Sequence, residues 1–252
     1  MKPLQCAAAI AALCLTAGAA IAAAPGAVQA ALSDPARPAA DTSRDVNRHP
    51  GELIAFAGLK PGMKVVDLWP GGGYYTRILA RTVGPRGRVY AYISNAGDAR
   101  MKTQGKDPDN QFADFKAVYH NLGVLHGPTQ NFVTPESVDM VWTSDNYHDM
   151  HNAPTADADI ASMNKGIFTS LKHGGIYLVL DHRAAKGAGA DATGKLHRMD
   201  EDIAKKEIEA AGFKLVAESK ILTNPADDNT KRVFEAGEHD HTDQFVLKFR
   251  KP

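Results

Sequence analysis

Val65-Val66-Asp67-Leu68-Trp69-Pro70-Gly71-Gly72-Gly73-Tyr74-Tyr75-Thr76 is the stretch that decides the fold. It reads as a buried strand, a glycine-rich turn, and a helix opening on Tyr74. Three consecutive glycines leave the turn free of side chains and open to positive φ. A ligand can then approach the backbone closely, with the N–H groups of the next helix aimed at it. The order strand, turn, helix is what a ligand-cradling turn requires, whereas a plain tight turn needs one glycine and rarely three.

Outward from this stretch, strands and helices alternate. Lys64–Leu68 is the first strand, Tyr74 to about Val83 a helix, and Arg88–Ile93 the second strand. A polar stretch, Ser94–Asn110, precedes a helix near Phe112–Leu122 and a short strand between Val124 and Phe132. Val138–Thr143 is a strand, Asp157–Leu171 a helix, and Lys172-His173-Gly174-Gly175 a turn. Ile176–Leu180 is a continuous apolar run, as expected of a strand covered on both faces. A helix over Asp200–Ala211 and two closing strands, Phe213–Ile221 and Gln244–Phe249, complete the chain. Upstream, Thr42 or Ser43 caps a first helix holding Asp45, Val46 and Arg48, and Gly51–Gly58 is a second, ended by its glycine. Alternation of this kind predicts a mainly parallel α/β sheet of seven strands with helices on both sides, in a single domain.

The 252 residues carry 29 basic and 29 acidic side chains. No global field favours nucleic acid or an anionic membrane. With no basic stripe interleaved with aromatics, a nucleic-acid partner is not expected. Lys2 is followed by an alanine-rich apolar stretch with no charge until Asp34, and small residues recur three apart in Ala20-Ile21-Ala22 and Val28-Gln29-Ala30. Residues 1–30 therefore read as a cleaved signal peptide, with a mature N-terminus near Ala23 or Ala31, and the protein as exported to the periplasm. The run is too weakly apolar to span comfortably, so no stable membrane association is expected after cleavage. Both cysteines, Cys6 and Cys14, fall in this segment, which removes disulfides and thiolate chemistry from the mature chain. Residues 31–45, rich in proline and alanine, read as an extended leader before a domain over 46–252.

Val65–Thr76, taken with Lys172-His173-Gly174-Gly175-Ile176-Tyr177, resembles the class I S-adenosylmethionine-dependent methyltransferases. Asp67 matches the acid of that family's first motif, Gly71 and Gly73 its second and third glycines, and His173-Gly174-Gly175 its turn before the fifth strand. Asp139 stands where the family has an acid opening the fourth strand. More narrowly, the chain resembles a group of exported predicted methyltransferases. The resemblance implies a Rossmann-like, doubly wound fold and S-adenosylmethionine held by Asp67, Trp69, Gly71, Gly72, Gly73, Tyr74, Asn95 and Asp145. Two departures stand out. Trp69 replaces the first glycine of the motif, and Tyr92-Ile93-Ser94-Asn95 lacks the acid that accepts the ribose hydroxyls, leaving the amide of Asn95. A dinucleotide fingerprint is not met, since position 76 is Thr.

A second cluster, Thr143-Ser144-Asp145-Asn146-Tyr147-His148-Asp149-Met150-His151-Asn152, follows the fourth strand, and Asp181-His182-Arg183 ends the fifth. Open α/β sheets bind ligands at these carboxyl ends. Three readings compete for it. His148 or His182, with Asp181, serves as general base toward a methyl acceptor. Asp145, Asp181 and His182 hold a divalent metal, a set resembling that of catechol-type O-methyltransferases with His for Asn. Or the acids cap helices and the histidines satisfy loops. Arg44 and Arg48 read as cover for the cofactor's carboxylate or as a solvated helix face. The leading expectation is methyl transfer to a small-molecule acceptor, with no metal assigned. The alternatives are a repurposed binding protein on a methyltransferase scaffold and a metal-dependent enzyme. The sequence assigns no oligomeric state.

Overall fold

The computed structural model describes residues 25–152, 159–235 and 240–252. Four short helices come first: α1 (Pro25–Leu32), α2 (Ala39–Thr42), α3 (Asp45–Arg48) and α4 (Pro50–Ala57). Then follow β1 (Lys64–Leu68), α5 (Tyr74–Val83), β2 (Arg88–Ser94), α6 (Asn95–Thr103), α7 (Ala113–Val118), β3 (Leu122–Gly127) and β4 (Val138–Ser144). The chain closes with α8 (Ile160–Ser170), β5 (Leu171–His182), α9 (Asp191–Leu196), α10 (Glu201–Ala210), β6 (Lys214–Ser219) and β7 (Gln244–Arg250). The sheet order is β3-β2-β1-β4-β5-β7-β6. Strands β1 to β5 pair in parallel, and β7 runs antiparallel to both β5 and β6.

Side chains alternate across a strand, so each face of the sheet collects every second residue. Val65, Val89, Ala91, Met140, Trp142 and Leu178 lie on the face covered by α1, α4 and α5. Val66, Leu68, Tyr90, Val141, Tyr177 and Leu247 lie on the other, against α8 and α10. Each side chain of this size contributes about 1.5–3 kcal/mol when fully buried. Helix α5 is buried at every position except Arg81, because the sheet covers one side and the N-terminal helices the other. Asp67 falls on the α5 face, beside Val65, which puts its carboxyl within reach of Thr76.

The seven-stranded, mainly parallel α/β architecture stands as read from the sequence. Local differences have local causes. Residues 31–45 are not extended. They fold into the end of α1, α2 and the start of α3, with Ala31 fully buried against α5 and Arg37 paired with Asp45 at 2.6 Å. Pro35 and Pro38 break this segment into short helices rather than abolishing helix. The third strand begins earlier than expected, at Leu122. Asn95–Thr103 is helical because Ser94 caps it, its hydroxyl accepting from the Gly97 N–H at 3.0 Å. Lys172–Gly175 loops out of the β4–β5 ladder, so that Val138 pairs with Leu171 and Met140 with Ile176. The start expected for α8 at Asp157 lies outside the described residues, as do positions 1–24 of the expected signal segment. Asp159 caps the helix. No helix among the described residues is long and apolar enough to cross a membrane.

Candidate cofactor cavity and adjoining histidine–carboxylate cluster

Strand order reverses between β1 and β4, and a cavity of about 910 Å³ opens at the carboxyl ends of these strands. Its floor is the glycine turn. Gly71 and Gly73 both have positive φ, 54° and 79°. A Cβ at Gly73 would meet the Phe115 ring at 2.4 Å, so this glycine serves packing, and it does not line the cavity. Gly72 has an ordinary φ and open space where a Cβ would stand. Gly71 shares that open space, and at both positions a ligand can approach the backbone. Trp69 (φ 53°) lines the cavity, with its buried indole N–H unpaired. Asn146 ties the two strand ends together, its Nδ2 donating to the carbonyls of Leu68 (2.9 Å) and Trp69 (3.0 Å).

Asp67 lies beneath the turn and accepts from the Thr76 hydroxyl at 2.6 Å. Burial outweighs that bond and pushes its carboxyl pKa up to about 7. Asp145 (φ 56°) behaves oppositely. Burial alone would raise its pKa, but the Arg48 guanidinium, 2.5 Å away, holds it below the ordinary carboxylate range. Its Oδ1 is buried and unpaired.

The opposite wall comes from the N-terminal helices. Arg48 lies over the Tyr74 and Tyr75 rings at 4.7 and 5.1 Å, and Arg44 pairs with Asp240 through two contacts of 2.6 Å. The Tyr74 hydroxyl donates to Asp45 at 2.6 Å. Neither arginine is a solvated helix face. The third side is the start of α6, where Ser94, Ala96 and Gly97 line the cavity. Asn95, expected to meet the ribose through its amide, is exposed and is not among the residues that line the cavity.

His148, Asp181 and His182 are buried behind the cavity rather than on its wall. Asp181 accepts from the His148 N–H, the His182 N–H and the His148 Nδ1–H, each at 2.7 Å. Burial alone would lower the His148 pKa, but the Asp181 carboxylate outweighs it, and the value is pushed up to about 10. His148 is therefore cationic at neutral pH when only protons occupy it, which does not suit the expected role of base. His182 contacts the Thr242 hydroxyl at 2.7 Å through Nδ1, and burial lowers its pKa. Among the described residues, the ligand atoms close enough together to share an ion are those of His148, Asp149 and His197, not the set Asp145, Asp181 and His182.

What the cluster does present to the cavity is Asp149 and His197. The sequence displays His197 without a role. It arrives through a parallel bridge between Arg183 and Met199, which brings the 197–199 loop to the end of β5. The fully buried Arg198 locks that loop, pairing with Asp227 at 2.8 Å and donating to the Arg183 and Lys231 carbonyls. Only spacing across two turns connects these residues, so no linear motif announces them.

No family model matches the chain, and no curated protein matches it. Solved structures do match. It is similar to a SAM-dependent methyltransferase from Aquifex aeolicus, at 18% identity and a TM-score of 0.56, over 91% of this chain and 99% of that one. The fold is that of the class I methyltransferases. The [4+2]-cyclase SpnF matches at 14% identity and TM-score 0.55, over 82% and 80% of the two chains. The N-methyltransferase NodS of Bradyrhizobium japonicum matches at 11% and 0.52, over 83% and 96%. At these identities the likeness concerns architecture alone, and the cyclase among these relatives illustrates that fold does not fix chemistry.

Proposed function

We propose that the chain binds S-adenosylmethionine in the cavity at the β1–β4 switch point and transfers its methyl group to a small acceptor. The observation that carries this reading is the open approach at Gly72, flanked by unpaired buried groups of both kinds: the Trp69 indole N–H, and the oxygens Asp145 Oδ1 and Asn146 Oδ1. Such groups cost free energy until a ligand satisfies them. A ligand that offers both donors and an acceptor suits these groups, the two oxygens accepting and the indole N–H donating. The volume, near the upper end of the range of about 300–1,000 Å³ for ligand pockets, leaves room for an acceptor beside the cofactor.

In the reaction the acceptor's lone pair attacks the methyl carbon. The carbon–sulfur pair returns to sulfur, S-adenosylhomocysteine leaves, and the acceptor gives up a proton. Proximity and exclusion of water supply most of the rate for such a transfer. The acceptor end is assigned to the side where Asp149 and His197 face the cavity. Titration calorimetry with S-adenosylmethionine and S-adenosylhomocysteine is the test. One site per chain is expected for each. No heat at millimolar ligand would overturn the methyl-transfer reading and leave a repurposed binding protein in its place.

We also propose export with cleavage before Ala23 rather than Ala31. Cleavage at Ala31 would remove most of α1, which packs on α5.

A further inference from the structure

The geometry points to a binding site for a divalent transition-metal ion, zinc foremost, formed by His148 Nε2, the Asp149 carboxylate and His197 Nδ1, with one coordination position open to the cavity. His148 Nε2 lies 3.2 Å from Asp149 Oδ1, and His197 Nδ1 lies 3.3 Å from the same oxygen. All three ligand atoms fall within 4.8 Å of one another. Both ring nitrogens are buried and face Asp149 Oδ1, which also accepts from the Asn152 amide at 3.0 Å. Around zinc, with bonds of about 2.0–2.2 Å, neighbouring ligands of a tetrahedron stand about 3.3–3.6 Å apart. Two edges of the triangle thus already have nearly the length an ion would impose.

The donor set narrows the ion. Two imidazoles and one carboxylate suit zinc and its first-row neighbours, whereas magnesium and calcium seek oxygen ligands. His148 is already oriented for ligation. Asp181, accepting from Nδ1–H, leaves Nε2 as the ligating atom, and ligating histidines are commonly oriented by such a carboxylate. His197 is held with φ 55°, a left-handed conformation uncommon outside glycine, by a loop that buried Arg198 fixes from behind. Trp69, Asp145 and His197 are three of the six non-glycine residues with positive φ among the described residues, and all three line the cavity. Backbone strain concentrated in this way accompanies functional sites. The Arg232 guanidinium donates to His197 Nε2 at 3.2 Å. Loading Nδ1 moves the ring proton to Nε2, and Arg232, which is exposed, turns to solvent.

Three protein ligands with one open position is the pattern of a catalytic rather than a structural zinc site. His148 closes the rear, and Asp149 and His197 face the cavity, so the open position faces the acceptor end. An acceptor hydroxyl bound there would release its proton to solvent more readily and be held as an oxyanion for attack on the methyl carbon. That use rests on the methyl-transfer reading, whereas binding of the ion does not.

The test is made on the mature chain, stripped with chelator, dialysed against zinc alone and analysed for metal. One zinc per chain is expected. In a competition titration, His197→Ala and Asp149→Asn each weaken binding about 100-fold or more, and Asp181→Asn, acting through His148, about 10–100-fold. Thermal unfolding of the metal-free His197→Ala variant keeps one cooperative transition, which separates loss of zinc from loss of the fold. His126→Ala, which removes an unrelated contact with Asp98, leaves zinc affinity unchanged. Cobalt in place of zinc shows the visible bands of a four-coordinate ion. Substoichiometric zinc in the wild type, or unchanged affinity in His197→Ala, overturns the assignment. S-adenosylhomocysteine titration of the same samples reports separately on the cofactor, so that failure there leaves the metal result standing.

Discussion

Replacing Asp67 with Asn separates the cost of a buried charge from every other pH effect in the molecule. The folded protein holds this carboxyl at about 7 against an ordinary value of 3.8, because burial disfavours the ionised form more than Thr76 favours it. A raised folded pKa contributes stability that is fully present below the unfolded pKa and is lost as pH rises through the folded one. At 1.36 kcal/mol per unit, a shift of this size makes the ionised form cost about 1.7 kcal/mol at pH 5 and about 4 kcal/mol at pH 8. Asn keeps an oxygen for the Thr76 hydroxyl and never ionises. The variant should therefore gain on the wild type by about 2–3 kcal/mol between pH 5 and pH 8. Urea unfolding of both proteins at several pH values in this interval measures the difference, with the remaining titrations cancelling between the two curves. Parallel curves would refute the reasoning, as would a gap that narrows with rising pH.

Gly72→Val should leave the folded state nearly as stable as the wild type, since its φ is ordinary and nothing lies within 4 Å of the new Cβ. It should abolish binding of S-adenosylhomocysteine by calorimetry, and retained affinity would remove the turn from the site. Arg198→Met strands the buried Asp227 carboxylate, which costs about 3–5 kcal/mol when an ion-pair partner is lost. Chemical denaturation measures that loss, and a change below about 1 kcal/mol would contradict it. Mass spectrometry of the protein expressed with its leader in an exporting host should find Ala23 at the N-terminus, as the proposed cleavage requires. Deleting residues 25–32 from that form should lower the melting temperature by uncovering α5, and an unchanged midpoint would separate α1 from the core.

The strands were legible because their physics is local. Val65-Val66 and Ile176–Leu180 are apolar on both faces, and the residues between them mark the turns. The parallel arrangement followed from the alternation of strands and helices. Asn95–Thr103 was opaque because glycine and several charges hide a helix that one serine cap begins. The N-terminal segment was opaque because its prolines signal breaks, while the burial that folds it belongs to α5. At the site, the glycine turn could be read from its own residues, but the division of labour within it could not. Gly73 answers to Phe115, some forty positions away, while Gly71 and Gly72 face open space and Gly72 alone combines it with an ordinary φ. The same holds for the cluster. His148 and Asp181 were visible at the ends of adjacent strands, yet which of their neighbours meets the cavity depends on the bridge that delivers His197.

The wall built from the N-terminal helices has a kinetic meaning. While α1 and α4 hold it to the sheet through buried apolar side chains, at the cavity it is clasped by charge, through Arg48 with Asp145 and Arg44 with Asp240. The Arg44–Asp240 clasp is the more open to water of the two, so added salt screens it first. Exchange of whatever occupies the cavity should then quicken as ionic strength rises, and an anionic competitor for the two arginines should act as a latch release without ever reaching the glycine turn.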